Sequence, residues 1–499
     1  MRKRMFLGPL ALLLFWVGGA SAQVICPLNG TLTTKLVCAV PQVFGSWGLN
    51  AGNPASESVL LTNGHQGHFG NSFLQSIGPL DEAVGVQVSQ LPLASPSSGI
   101  TFIYDPSLKT FSPSTDESLG PILGERASTI GRHKLFVGFS YQYFNFGSVD
   151  GQNLKDIPAV FQHMDVPVPN GDNLPACANQ TMLPTLEPCV VRDYIQTSNS
   201  ISLKVNQYTL YGTYGVSPHF DISIAIPILS VQMGVTSNAT IVPNSVAPAS
   251  KNFPSNVWHQ FNTTLPQCAS VPTGTACLNA TFSDAGNATG IGDVVLRGKY
   301  KIYDGERLGV AVGMDIRVPS GDAQNFLGSG ATGIKPFAVV SYRGRISPHV
   351  EVGQEANLSS ILAGNFVGVN ASGAPATLPN RFIYVVGADA AIAKGLSAAF
   401  DIYGQRLFHA PKLISLPYQD LGNCSGASPT GAECPTYTPG TTHPNVSEIT
   451  TDYNITNASL GLKYRVYHNL VITGNVLLKL DNGGLRAKAI PLVGASYNF

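Results

Sequence analysis

The last fifteen residues of the chain, LRAKAIPLVGASYNF (Leu485–Phe499), alternate between two kinds of position. One set is apolar throughout and ends in Tyr497 and Phe499, whereas the other set begins with Arg486 and Lys488. Because neighbouring side chains of a β-strand point to opposite faces, this period of two predicts a strand with one apolar and one mixed face. The preceding turn, DNGG (481–484), predicts a hairpin with the segment before it.

The same alternation recurs along the chain from Lys134 onward. It predicts twelve strands, over 134–147, 198–215, 220–236, 291–302, 306–319, 332–343, 347–359, 380–392, 396–409, 451–464, 469–480 and 485–499. A further hairpin at 99–112, pairing Gly99–Asp105 with Leu108–Ser112, would raise the count to fourteen if it joined the same sheet. Either even count is typical of a bacterial transmembrane barrel.

The composition agrees with this interpretation. Only 12% of the 499 residues are charged and 44% are hydrophobic, whereas soluble domains average about 25% charged residues. No apolar run of about 18 residues follows residue 22, so the sequence contains no evident transmembrane helix. A closed barrel bonds every backbone group internally and turns its apolar side chains toward lipid. We therefore predict an all-β fold, a transmembrane antiparallel β-barrel of 12–14 strands.

The connections between the predicted strands alternate in length. Long loops are predicted over 148–197, 237–290, 320–331, 360–379 and 410–450, and short turns separate the other strands. Outer-membrane barrels have short periplasmic turns and longer extracellular loops. The alternation therefore places the long loops on the outer side.

The N-terminus has the three parts of a secretory signal: basic residues at 2–4, an apolar stretch at 5–17 and small residues at 20–22. Lys plus Arg and Asp plus Glu both total 29, so the net charge is zero, and it becomes −3 when the three basic residues of the signal are removed. This balance argues against a nucleic-acid partner. We predict a signal peptide over 1–22, an N-terminal periplasmic or plug-like region over 23–133, and a barrel over 134–499 in the bacterial outer membrane.

Eight cysteines form four local pairs: Cys26 and Cys38, Cys177 and Cys189, Cys268 and Cys277, Cys424 and Cys434. An exported protein meets an oxidising compartment, where disulfides persist. Zinc sites use closer pairs of cysteines, often with nearby histidines, so we predict disulfides and no metal site. Three of the pairs fall on the predicted long loops, which would make these disulfide-stapled outer loops.

The stretch GIGDVVLRGKYKIYDGERLGVAVGMDIRVPSGDAQNFLGSGATGIKPFAVVSYRGRISPHVEVG (Gly290–Gly353) resembles the MetA-pathway phenol-degradation family of outer-membrane proteins, relatives of the FadL-type long-chain fatty-acid channels. The resemblance implies a barrel that passes hydrophobic small molecules and holds an N-terminal segment in its lumen as a hatch. The region before Lys134 and the cysteine-stapled loops depart from that pattern. Tyr497 and Phe499 resemble the C-terminal aromatic signature that the barrel-assembly machinery reads.

Charged residues on the polar faces of the predicted strands are candidates to line the lumen: Asp293, Arg297, Lys299, Lys301, Asp315, Arg317, Glu351, Lys463, Arg486 and Lys488. One interpretation is a salt-bridged lumen that holds a plug. The other is a charged path that orders permeants, in which Arg would suit an anionic head group such as a carboxylate.

Two functional hypotheses follow. The first is a barrel channel or transporter for passive uptake of hydrophobic or amphipathic small molecules, fatty-acid-like or aromatic, with outer-membrane lipid, the assembly machinery and the solute as partners. The alternative is a surface barrel with an adhesin or structural role through its stapled loops. The G-x-G-x-x-G match at 328–333 lacks the strand-to-helix context of a nucleotide site. We predict no cofactor and no enzymatic activity.

Overall fold

A computed structural model of the chain describes residues 30–39, 118–163, 193–244, 259–261, 265–272, 275–363, 375–420 and 440–499, together with short pieces at 49–51, 69–70, 84, 102–105, 110–113, 424–425 and 436–437. Within these residues no helix is long and apolar enough to cross a bilayer.

Twelve antiparallel strands form one closed barrel. They are β1 Leu135–Val149, β2 Tyr194–Ser217, β3 Phe220–Val242, β4 Asn279–Ile291 continued by Val294–Asp304, β5 Leu308–Val318, β6 Gly333–Tyr342, β7 Ile346–Asn357, β8 Arg381–Ala393, β9 Leu396–Ser415, β10 Val446–Tyr467, β11 Leu470–Lys479, and β12 Leu485–Ala487 continued by Ala489–Asn498.

Each strand pairs with its neighbour in sequence, and β12 closes the barrel by pairing with β1, where Tyr497 lies opposite Val137. The structure confirms the predicted all-β antiparallel barrel and fixes its strand number at twelve. The predicted hairpin at 99–112 is present as Phe102–Asp105 paired with Thr110–Pro113. It forms a separate two-stranded sheet, so a count of fourteen is wrong.

The remaining elements are short. Helix α1 spans Leu32–Ala39 and helix α2 spans Pro266–Ala269, and 3-10 turns occupy Ala323–Asn325 and Ile361–Ala363. Short strands lie at Leu49–Ala51, Phe69–Gly70, Gln152–Asn153, Ile157–His163, His259–Phe261, Ser359–Ser360, Ala376–Thr377, Tyr418–Gln419, Cys424–Ser425, Thr436–Tyr437 and Thr442–His443.

The two ends of the barrel differ. At one end, here called the short-turn end, turns of two or three residues join consecutive strands at 218–219, 305–307, 343–345, 394–395 and 468–469. The chain enters β1 and leaves β12 at this end, where the Phe499 N–H donates to the Leu135 carbonyl at 2.8 Å. The other end, the long-loop end, carries the longer connections, including those after β1, β3 and β9.

An apolar belt surrounds the barrel next to the short-turn end. Its side chains are large, apolar and exposed, and include Leu210, Ile222, Val312, Leu462 and Val493. Exposed Tyr300, Tyr303, Tyr467, Tyr497 and Phe499 lie at the edge of this belt, near the short turns. An apolar band bordered by aromatic side chains is the pattern of a lipid-facing barrel surface.

Four strands extend well beyond this belt. β2, β3, β9 and β10 have 24, 23, 20 and 22 residues, whereas about 9–11 residues suffice to cross a bilayer. The extensions correct the predicted loops at 237–290 and 410–450, because β3 continues to Val242, β4 begins at Asn279, and β9 and β10 extend to Ser415 and from Val446. The outward positions of 279–289 are Asn, Thr, Ser and Ala, so the hydrophobic alternation that identifies a membrane strand is absent there.

One predicted cysteine pair lies fully within the described residues. Cys268 and Cys277 form a disulfide in the connection between β3 and β4, at the long-loop end. Cys26, Cys177, Cys189 and Cys434 lie outside the described residues, and only the backbone is described for Cys38 and Cys424.

Candidate functional site: the barrel interior

The interior of the barrel changes polarity along its axis. On β2 and β3, most of the inward side chains of the extensions are apolar and buried, including Leu203, Val205, Val231 and Met233, although Asn199 and Ser237 are also buried farther from the short turns. The outward side chains at the same height are polar, as at Gln232. Closer to the short turns the arrangement is reversed, with large apolar side chains outward and Thr and Ser inward.

The change occurs at one height of the wall. Gln142, Gln207 and Leu229 lie side by side in the register of β1, β2 and β3, and they mark the boundary. The opposite wall repeats the pattern, because Leu407, Tyr453 and Ile455 form a buried apolar cluster above a level of inward polar residues on β9 and β10. We call the apolar interior beyond this boundary the outer chamber.

Helix α1 lies against the chamber side of β4. Leu32 and Leu36 are buried there, and a Cβ at Gly286 would lie only 2.8 Å from Leu32 Cδ2, so this glycine permits the close approach. Lys35 Nζ pairs with Asp284 Oδ1 at 2.8 Å. The helix therefore packs on the chamber wall through two leucines and one ion pair.

Below the chamber, residues 118–130 cross the interior in an irregular conformation, and we call them the inner segment. Most of it is buried, and its backbone is hydrogen-bonded to inward side chains of the barrel. The N–H groups of Leu119, Ala127 and Ile130 donate to Ser397 Oγ at 2.9 Å, Ser341 Oγ at 3.0 Å and Asp221 Oδ2 at 3.0 Å. These bonds satisfy backbone groups that would otherwise be buried without partners.

Glu125 connects the inner segment to a network of charges on β4 to β7. Its carboxylate accepts from Arg297 Nη1 at 2.6 Å and from Lys299 Nζ at 3.1 Å. Arg297 also makes a two-bond contact with Asp315, through Nε at 2.6 Å and Nη2 at 2.7 Å. Lys335 Nζ extends the network from Asp315, at 2.9 Å, to Glu351, at 3.6 Å.

A second set of charges, on β7 to β9, holds Ser118 and Arg126 of the inner segment. Ser118 and Arg126 both donate to Asp389 on β8. His349 lies between two carboxylates, with Nε2 2.8 Å from Asp401 Oδ1 and Nδ1 3.5 Å from Asp389 Oδ1. A Cβ at Gly124 would lie 2.7 Å from His349 Nε2, so the segment needs a glycine where it passes this histidine.

Lys463 also contacts the inner segment. It is only 2% exposed, and Nζ lies 3.4 Å from the carbonyl oxygen of Leu119 and hydrogen-bonds to that of Pro121. The Lys463 amine therefore fixes two backbone carbonyls of the segment to β10.

A third cluster lies toward the chamber, where β4 is interrupted between Ile291 and Val294. Arg317 pairs with Asp293 at 3.1 Å and with Glu355 at 3.0 Å. It also donates to the Ala331 carbonyl at 3.0 Å and to Asn357 Oδ1. Arg381 caps the set with two bonds to Glu355, at 3.0 and 2.7 Å.

The predicted lumen residues can now be placed. Asp293, Lys299, Asp315, Arg317, Glu351, Lys463 and Arg486 are buried inside the barrel, and Arg297 and Lys301 are half-buried. Lys301 pairs with Asp304 at the short-turn end, and Arg486 donates to Asn457 Oδ1. Lys488 is exposed, because β12 is interrupted at this residue. In this geometry most of the charges hold each other or the inner segment.

Several residues of the network were not among the predicted ones. Lys335 and Arg381 lie within the predicted strands 332–343 and 380–392 and follow their period of two, so the alternation was sufficient to find them. Glu125 and Arg126 lie before the first barrel strand, in a stretch without any alternation. Only long-range contacts identify them.

No protein-family model and no curated protein matches the chain. Solved structures similar to it include an outer membrane channel from Pseudomonas putida F1, with 9% identity and a TM-score of 0.37 over 75% of this chain and 98% of that one. Others are the toluene transporter TbuX of Ralstonia pickettii, with 11% identity and a TM-score of 0.26 over 82% and 98%, and a FadL homologue of Pseudomonas aeruginosa, with 8% and 0.24 over 73% and 88%. The resemblance to the MetA-pathway family stays a prediction.

Proposed function

We propose that this protein is an outer-membrane β-barrel transporter that takes up hydrophobic or amphipathic small molecules passively, and that its N-terminal region supplies the hatch. The short-turn end faces the periplasm in this proposal, and the long-loop end faces outward. The outer chamber collects the solute, and displacement of the inner segment lets it pass.

The observation that carries the proposal is the reversal of polarity between the two halves of the barrel. The inward face of the extensions is apolar, because Leu203, Val205, Val231 and Met233 are buried there in one cluster with Leu32 and Leu36 of α1. Binding sites for apolar molecules are concave and mainly lined by hydrophobic side chains. The polar outer surface at the same height keeps the extension compatible with water.

The way in which the inner segment is held supports its role as a hatch. It is held by hydrogen bonds and ion pairs to the wall, as at Glu125 and Arg126. Its buried apolar side chains, Leu119, Ile122, Leu123 and Ala127, also pack against apolar side chains of the barrel. When the segment moves, water that enters the lumen can replace its hydrogen bonds, each of which contributes about 1 kcal/mol. Its buried ion pairs, such as Arg126 with Asp389, cost more to separate. A charged lumen that holds a plug is the interpretation favoured here over a charged path for anions.

Val231→Asp should lower uptake of a labelled long-chain fatty acid by about tenfold, because a charge in an apolar site penalises an apolar ligand by at least about 1.4 kcal/mol. Uptake is measured in bacteria that produce the protein, relative to an empty vector. Gln232→Asp is the matched control, since Gln232 faces outward on the same strand. Equal uptake by both variants would refute a role for the chamber.

Export and assembly belong to the same proposal. Residues 1–22, which lie outside the described residues, act as the signal peptide, and Tyr497 and Phe499 act as the assembly signal. The two rings are exposed on the outer face and 4.7 Å apart between centroids. They are therefore accessible to the barrel-assembly machinery.

Phe499→Ala should reduce the amount of assembled barrel in outer-membrane fractions several-fold, as measured by the shift in gel migration on boiling. The control is Tyr467→Ala, which removes an equally exposed aromatic ring at the same end of the barrel. If both variants lose assembled protein to the same extent, Phe499 only anchors the barrel in lipid.

A surface adhesin or structural role is the second candidate. The long extensions of β2, β3, β9 and β10 and the Cys268–Cys277 disulfide favour it, because they build a rigid structure beyond the membrane. This role requires no solute flux. Normal uptake after removal of the loop at 416–445, with loss of cell attachment, would assign the loops to adhesion.

A further inference from the structure

A groove of about 770 Å³ lies on the outer face of the barrel, across β2, β3, β4 and β5. Its walls are outward apolar side chains, among them Phe220, Leu296, Tyr300 and Met314. Small-molecule sites typically measure about 300–1,000 Å³, so the groove has the size of a ligand site. It is separate from the interior site described above.

Two outward-facing glycines create the groove. Gly212 on β2 and Gly298 on β4 interrupt rows of large side chains. In the register of β3, Gly212 lies opposite Ile224 and Gly298 lies opposite Ile222. A Cβ at Gly212 would have no atom nearer than 3.8 Å, and one at Gly298 none nearer than 3.6 Å. The surface is therefore concave at these two glycines, between the large side chains that surround them.

The length of the groove matches one leaflet. It runs from Phe220 to Ile224 on β3 and from Leu296 to Tyr300 on β4, which is about 14 Å at 3.4 Å per residue. Half of a hydrocarbon core of about 30 Å is about 15 Å. The groove begins at the short-turn end, so it covers the leaflet on that side.

The rim of the groove is cationic. Arg132, His133 and Lys134 immediately precede Leu135, which lines the groove, and His133 Nδ1 lies 2.9 Å from the hydroxyl of Tyr214, another lining residue. Residues 127–136 and 213–220 contain no Asp or Glu. The whole short-turn end is basic, with seven Lys and Arg and two acidic residues in 131–134, 216–219, 304–307, 343–345, 394–395 and 465–469.

We propose that this groove binds one anionic glycerophospholipid of the periplasmic leaflet. One acyl chain lies along Gly212 and Gly298, and the phosphate lies against Arg132 and Lys134. Basic side chains at a membrane surface attract anionic lipids, and the two glycines leave room for a chain between the large apolar side chains of the groove. The inference rests on the membrane placement proposed above, but not on transport.

The test uses the purified full-length protein in detergent, with phosphatidylglycerol and phosphatidylcholine of the same acyl chains, and counts bound lipid by native mass spectrometry. We expect one retained phosphatidylglycerol and about tenfold less phosphatidylcholine, since two cations select the anionic head group. Gly298→Trp should lower phosphatidylglycerol retention by about tenfold, because the indole occupies the place of the chain.

The matched control is Gly474→Trp. Gly474 also faces outward, and its Cβ would have nothing within 4 Å, but it lies on β11, away from the groove. For the head group, Arg132→Gln with Lys134→Gln should remove the preference for phosphatidylglycerol. Arg345→Gln with Lys394→Gln, at two other short turns, should leave it intact.

Equal retention by the Gly298 and Gly474 variants, or equal binding of the two lipids by the unaltered protein, would overturn the site. Gly212→Leu fills the groove with a smaller side chain and replaces Gly298→Trp if that variant does not assemble. A protein without a boiling-dependent shift or a membrane fraction refutes the membrane placement. A correctly assembled barrel whose groove variants bind lipid normally refutes only the lipid site.

Discussion

Deletion of residues 23–130 should convert the barrel into an open pore, with an ion conductance in planar bilayers at least about ten times that of the intact protein. A barrel of eight strands is filled by its own side chains and one of sixteen leaves an aqueous channel. Twelve strands lie between these cases, so what fills the interior decides whether it conducts. The inner segment fills it at the height of Asp389, Glu351 and Lys463.

The deletion should leave the barrel itself intact. Every strand is bonded to two other strands, and β12 closes on β1 without help from the inner segment. The boiling-dependent shift of the deletion variant checks this directly. A folded deletion variant with the low conductance of the intact protein would show that the inner segment does not close the lumen.

A single substitution gives the same test with less disturbance. Gly124→Val should raise the frequency of openings, because any Cβ at this position collides with His349, which is held by Asp389 and Asp401. Ser128→Val is the matched control within the inner segment, at a half-buried position. If the two variants have similar conductance, the contact between Gly124 and His349 does not keep the lumen closed.

Arg317→Met should destabilise the folded barrel by about 3–5 kcal/mol, because removal of one partner of a buried ion pair leaves an uncompensated charge. Arg317 is 6% exposed and is the cation paired with Asp293, whose side chain is fully buried. Glu355 keeps Arg381 as a partner, so the charge left without a cation is mainly that of Asp293. The free energy of unfolding is measured by urea titration in detergent, with the boiling-dependent shift as readout.

Two further variants identify the cause. Arg406→Met removes an arginine from the exposed pair with Asp452, 3.3 Å apart, and should change the free energy of unfolding far less, because solvent screens an exposed pair. The double change Arg317→Met with Asp293→Asn should recover part of the loss, because it removes both charges. If Arg317→Met costs no more than Arg406→Met, the cluster at the interruption of β4 does not stabilise the barrel.

The sequence predicts the part of the fold within the apolar belt well, because the pattern there is simple. Outward positions of β5, such as Val312 and Ile316, are apolar, and inward positions such as Asp315 need not be. Outside the belt this restriction disappears, and segments such as 279–289 have polar outward positions. The strands continue there because their backbone groups remain hydrogen-bonded to neighbouring strands. Such pairing does not require alternating hydrophobic residues, so the sequence pattern does not reveal it.

The interior site could be predicted only on the barrel side. Asp293, Arg297 and Lys299 are recognisable because they lie on the polar faces of the alternating segments. Glu125, the partner of Arg297 and Lys299, lies more than 170 positions away in an irregular stretch, and nothing local marks it. The outer chamber was missed for a related reason, since Val231 and Met233 on the inward face look like membrane-facing residues until their orientation is known.

The most direct test of the transport proposal is the uptake of two solutes of similar size, an aromatic hydrocarbon and a sugar, by bacteria that produce the intact protein. A lipopolysaccharide-covered surface is needed, because hydrocarbons cross simple lipid vesicles unaided. Relative to cells with an empty vector, we predict faster uptake of the hydrocarbon and unchanged uptake of the sugar. Unchanged uptake of the hydrocarbon, or equal acceleration of both solutes, would contradict the account.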